Sequence, residues 1–133
     1  MPIAAAGAYI KSTDIVDTAS VATIDTSIGT PAANFTLNSG TARTLLNGVL
    51  VNLTLSIKST NAITSTSGNV TDTLMFTLDA PYRPSETINA SWGNGVTEGE
   101  VSISTAGAVT LRSAAYNIAA ASNLLINAVF IRA

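Results

Sequence analysis

From about Gly48 onward, apolar and polar residues alternate with a period of two, the pattern of a half-buried β-strand. Val49, Val51, Leu53, Leu55 and Ile57 fall on one face, and Asn52, Thr54, Ser56 and Lys58 on the other. The polar, turn-rich run Ser59–Asn69 follows as a loop or hairpin tip. Leu74, Phe76 and Leu78 then alternate with Thr73, Met75 and Thr77 in a second strand. Pro81 and Pro84 end it, because proline lacks the N–H that a ladder requires. Ile88, Ala90 and Trp92 begin a third strand, closed by the turn Gly93-Asn94-Gly95. In Glu100–Thr105, Val101 and Ile103 point inward and Glu100, Ser102 and Ser104 outward, and Ala106-Gly107 makes a tight turn into Val109 and Leu111. Leu124–Ile131 is apolar on both faces, with Leu125, Val129 and Ile131 against Ile126, Ala128 and Phe130. Such a strand belongs at a sandwich centre or a subunit interface.

Short strands at this spacing, rich in Thr and Val, predict an all-β fold, an antiparallel β-sandwich or jelly roll. Only Ala114–Ala121 reads as a turn of helix, from the helix preference of alanine. The first 45 residues differ: Ala, Thr, Ser and Ile dominate, and Gly29-Thr30-Pro31 breaks the segment. They predict one or two strands, Tyr9–Ile15 and Val21–Ile28, followed by a loop. The expected division is an attachment segment over 1–45 and a jelly-roll domain over 46–133, the first part either completing the sandwich or forming an N-terminal arm. No internal repeat and no heptad pattern occurs.

Composition narrows the function. Only 11% of the 133 residues are charged while 47% are apolar, against roughly 25% charged in an ordinary domain. With no His and no Cys, zinc-finger, thiol-nucleophile, imidazole-base and disulfide chemistry are excluded. Lys11, Arg43, Lys58, Arg83, Arg112 and Arg132 are scattered along a chain of net charge −2, whereas a nucleic-acid footprint needs clustered cations. No apolar run approaches the ~20 residues of a membrane span, and the N-terminus lacks a basic start and long apolar core, so the expectation is folding in a cytosol. An aliphatic surface this poor in charge predicts burial against copies of the same chain.

The segments FTLDAPYRPSETI (Phe76–Ile88), GEVSISTAGAVTL (Gly99–Leu111) and INAVFIRA (Ile126–Ala133) resemble the C-terminal tip domains of bacteriophage tail fibres and related receptor-binding proteins. There, a strand enters a proline-flanked Tyr-Arg turn, a Gly-Xaa-Val strand and hairpin partner follow, and a hydrophobic strand with a late aromatic ends the chain. The matching positions are Phe76, Leu78, Tyr82, Arg83 and Pro84, then Gly99, Val101, Ile103, Gly107, Val109 and Leu111, and finally Phe130, while Asp79-Ala80-Pro81 departs from the Pro-Ala-Gly usual before the turn. The resemblance covers about 48–133. It implies a homotrimer, similar in fold to the tumour necrosis factor jelly roll, displaying loops at one end. The start at Met1, without a fibre shaft, keeps a second expectation open: a capsid decoration or head-fibre protein anchored through its N-terminal arm.

Each candidate for chemistry has a functional and a structural reading. Tyr82-Arg83 is either a presented recognition element, since both residue types are favoured at binding hot spots, or a rigid turn whose Tyr plugs the sandwich edge and whose Arg pairs with Asp79 or Glu86. Trp92, beside Asn94, is either a platform for stacking a sugar ring or a plug in the core or between subunits. Glu98 and Glu100 would stand about 6.6 Å apart on one strand face, near the spacing of inverting glycosidases, but both look solvated. Asp14 and Asp17 lack calcium-loop spacing. Lys11 and Lys58, the only lysines, have no nucleophile at a recognisable spacing. The four Asn-Xaa-Ser/Thr sites (Asn34, Asn52, Asn69, Asn89) are as many as chance supplies in so Asn- and Thr-rich a chain.

The expectation is therefore a virion protein, made in the host cytoplasm, that is not an enzyme and needs no metal or cofactor. It contacts a host-surface glycan or protein through Tyr82, Arg83, Trp92 and Asn94, and other virion proteins through its arm. The loops expected to present that surface are 82–86, 92–98 and 59–69.

Overall fold

The computed structural model describes residues 23–133. They form nine strands: β1 (Thr23–Asp25), β2 (Gly29–Pro31), β3 (Phe35–Leu45), β4 (Leu50–Ser59), β5 (Asn69–Leu78), β6 (Ile88–Gly93), β7 (Glu98–Ile103), β8 (Ala108–Ser113) and β9 (Asn123–Ile131). All pairings are antiparallel, in the order β1-β3-β4-β9-β6-β7-β8-β5-β2. The fold is all-β, a single curled sheet wrapped around one core. β1 and β2 are consecutive in the chain yet lie at opposite edges of the sheet, so residues 26–28 strap one edge to the other. Ile28 is fully buried in that strap, and its carbonyl accepts from the Asp79 N–H at 2.9 Å.

The alternation read from β4 is realised from Val51 onward, whereas Val49, read on the same face, precedes the strand and is 48% exposed. Val51, Leu53, Leu55 and Ile57 are fully buried while Asn52, Thr54 and Lys58 are exposed. Ser56 is the exception on the outer face, covered by Asn38, whose amide donates to its hydroxyl at 3.4 Å. Val101, Ile103, Val109 and Leu111 complete the core from β7 and β8, joined by the expected turn at Gly107, with φ +86°. A side chain there would also press on the Leu78 carbonyl, 2.5 Å from the Cβ position.

Four expectations are corrected. The stretch read as a loop before residue 45 contains β3, the longest strand, which pairs with β4 along its whole length. A register shift between Leu37 and Ser39 breaks its alternation, so Phe35 and Ala42 reach the core from a sequence that scans as polar. The strand expected over Val21–Ile28 is confined to Thr23–Asp25 within the described residues, and Tyr9–Ile15 lies outside them. In β5 the phase is reversed at one point: a shift between Leu74 and Phe76 turns Met75 into the core and leaves Leu74 43% exposed. Ala114–Ala121 is not helical. Its backbone is spent on an Ile63–Ile118 bridge and on turns, with Ala121 at φ +64°.

The 45/46 boundary falls in the turn between β3 and β4, so residues 23–45 complete the sheet. β9 presents Leu124, Ile126, Ala128 and Phe130 to the core. Its opposite row does not sit in a sandwich centre: Leu125, Val129 and Ile131 are 52%, 61% and 52% exposed.

Candidate functional site

Antiparallel connectivity sorts the loops onto two ends of the sheet. The β3–β4 turn, residues 79–87, the β7–β8 turn, Ala133 and Thr23 of β1 share one end. Residues 60–68, the β6–β7 loop (94–97) and the β8–β9 loop (114–122) share the other. Tyr82 and Arg83 are thus separated from Trp92 and Asn94 by the length of β6, six residues or roughly 20 Å. The four residues expected to make one contact surface belong to two opposite ends.

At the first end, Asp79 precedes a 3-10 turn over Ala80–Tyr82. The Tyr82 ring is half-buried against the core, and its hydroxyl donates to Asp25 Oδ2 at 2.5 Å. Hydrogen bonding to Asp25, reinforced by burial and by the charges of Asp25 and Asp79, pushes the phenol up to about 12. Arg83 does not pair with Asp79 or Glu86; its Nε donates to the Leu78 carbonyl at 3.0 Å, and its stem lies over Gly107. The Arg83 carbonyl accepts from the Ala133 N–H at 2.9 Å, and Pro84 bridges to Arg132. The Tyr-Arg turn therefore stitches together the strap, the β7–β8 turn and the C-terminal strand.

At the opposite end Trp92 is 2% exposed, with its indole N–H donating to the Ser113 carbonyl at 2.9 Å. The ring passes over Gly99, where a Cβ would lie 2.7 Å from Nε1 and 2.0 Å from the Ser113 oxygen. A ring so enclosed offers no face to a sugar, and Trp92 is a core plug. Asn94 shapes the loop beyond it: its Oδ1 accepts from the N–H groups of Val96 and Thr97 at 2.9 and 2.8 Å. This Asx turn holds Val96 out at 83% exposure. Buried Thr97 ties this loop to the next, its hydroxyl accepting from the Tyr116 N–H at 2.9 Å. Tyr116 is 70% exposed. The third loop joins through Ser65, whose N–H donates to Asn117 Oδ1 at 2.8 Å.

Two depressions flank Val96. The first, about 550 Å³, is walled by amides and hydroxyls, among them Asn38, Asn94 and Asn123. The second, about 320 Å³, lies between the β6–β7 loop and Tyr116, with Glu98 at its edge. Glu98 and Glu100 are both exposed on the outer face of β7. Lys58 and the Asn-Xaa-Ser/Thr sites Asn34, Asn52, Asn69 and Asn89 are exposed too. Asp14, Asp17 and Lys11 lie outside the described residues. Among the described residues no three carboxylates gather as a metal site, and no helix is long and apolar enough to cross a membrane.

Val96 lies in the expected loop 92–98 without having been singled out, and Tyr116 was missed, because neither carries a local motif. The available signal was an aromatic in the alanine-rich SAAYNIAAA, where a helical reading took precedence. No protein-family model and no curated protein matches the chain.

Proposed function

We propose that this chain is a bacteriophage virion structural protein, a homotrimeric jelly-roll tip of a tail fibre or baseplate that contacts the host surface without catalysing a reaction. The observation that carries this reading is the opposition of the two ends. Thr23 of β1 lies on the same end as Ala133, while Val96 and Tyr116 project from tied loops at the other. Attachment to the particle at one end leaves the other free to meet a receptor, and weak contacts multiplied over subunits and copies hold the particle.

Self-association is supported by the outer face of β3, β4 and β9. Leu45, Leu50 and Ile131 stand in register across the three strands, with Ile24 and Val129 in the neighbouring row. Arg43 is the one charged residue of those two rows, a composition suited to the core of an interface between like chains. The experiment is to localise the protein on intact particles and measure its mass in solution. A tail or baseplate position with a trimeric mass supports the reading. A position on the capsid replaces it with the decoration role, and a single-chain species at micromolar concentration removes the trimer.

A further inference from the structure

We propose that the two depressions flanking Val96 form one saccharide site, selective for neutral sugars. The inference rests on the host-contact reading of this end and specifies its ligand class.

The second depression has the parts of a sugar platform. Tyr116 is largely exposed, so its ring can cover the C–H face of a pyranose. The Glu98 carboxylate at the edge is an acceptor for sugar hydroxyls, and charged acceptors make the stronger hydrogen bonds. Gly93 and Gly95 add no side chains to fill the space. On the other side of Val96, Asn38 and Asn123 supply amides, and Asn94, whose Oδ1 already accepts from Val96 and Thr97, offers its Nδ2 as a donor, a set that suits the vicinal hydroxyls of a second ring. Val96 itself is the apolar ridge between the two rings.

The platform is also preformed. The Asx turn at Asn94 fixes Val96, and Thr97 fixes the Tyr116 backbone, so little ordering remains when a ligand arrives. No Lys or Arg lines either depression. Lys58 stands opposite Asn123 in register but outside the lining. With Glu98 at its edge and no Lys or Arg in its own lining, the Tyr116 lobe repels an acidic saccharide. Combined volumes on the order of several hundred Å³ suit a di- or trisaccharide.

The test is saturation-transfer NMR on the purified full chain. The probes are neutral trisaccharides of glucose, galactose, mannose and N-acetylglucosamine, set against sialyllactose and digalacturonic acid. The expected result is transfer to at least one neutral trisaccharide and none to the acidic pair. Tyr116→Ala and Asn123→Ala should each weaken binding about tenfold, while Tyr82→Phe, at the opposite end, leaves it unchanged. Transfer to no neutral probe, equal binding of the acidic ones, or full binding by Tyr116→Ala overturns the site. Attachment of the protein to host cells that Tyr116→Ala retains would overturn the site and leave the host-contact reading standing. Sugar binding by a protein absent from virions would do the reverse.

Discussion

The Tyr82 hydroxyl donates to Asp25 Oδ2 across 57 positions of sequence, joining the 3-10 turn after β5 to the end of β1. Asp25 leads into the strap that runs from one edge strand of the sheet to the other, so this bond anchors that strap to the turn after β5. Tyr82→Phe keeps the ring in its contact with the core and deletes only the bond. The site is only half-buried, so the expected loss is about 1 kcal/mol, below the roughly 1.5–3 kcal/mol of a bond to a charged acceptor. Urea denaturation of the two proteins, with no change in m-value, checks it.

The same pair makes stability depend on alkali. The folded phenol, pushed up to about 12 from its ordinary 10.0, holds its proton more tightly than the unfolded one. The stabilisation is therefore complete below pH 10 and is lost as pH rises from 10 through 12. Tyr82→Phe should flatten the part of the pH–stability curve that Tyr82 contributes, seen as a smaller fall in melting temperature between pH 10 and about 12. An unchanged slope in the variant would remove Tyr82 from this behaviour.

Trp92 and Gly99 face each other on β6 and β7 as register partners, and the contact allows no Cβ. Gly99→Ala would drive a methyl into the Ser113 carbonyl, backbone that cannot swing away. The expected cost is about 3 kcal/mol, the upper range for overpacking. Trp92→Phe keeps an aromatic but leaves the Ser113 oxygen without its indole donor, for about 1–3 kcal/mol. Thermal unfolding followed by circular dichroism ranks the two variants, and both should exceed Tyr82→Phe in cost.

What could be read from the sequence follows the locality of its cause. The inward rows of β4, β7 and β8 are visible because alternation is a property of neighbours along the chain. β3 was invisible because its burial comes from pairing with β4, its shift at Leu37 and Ser39 spoils the period, and its inward set includes Gly40 and Ala42. Leu74 and Met75 exchanged faces for the same reason, a bulge that hydropathy does not encode. Of the proposed sugar site, the sequence showed Asn94, whose turn chemistry is local, and the loop 92–98 that carries Val96. Tyr116 joins that surface through a hydrogen bond to Thr97, 19 positions away, and Trp92 leaves it because Gly99 makes room for the ring across the ladder. The sequence distinguishes residues able to stack on a ligand; which one is outside is decided by the topology.

The apolar row Leu45–Leu50–Ile131 yields the last prediction. Ile131 is 52% exposed on the outer face of a strand whose inner face is built from other residues, so Ile131→Lys should leave folding within about 0.5 kcal/mol of the parent. If copies of the chain bury this row, each copy loses roughly 1–2 kcal/mol of apolar burial and gains a buried charge. For a trimer those losses act three times over on one assembly equilibrium. The midpoint of association should then move upward by orders of magnitude in concentration, not by a small factor. Sedimentation velocity across a concentration series separates the outcomes. A variant that remains folded but sediments as a single chain, beside a parent that does not, places the interface on this face. A variant that assembles like its parent moves the interface elsewhere on the sheet.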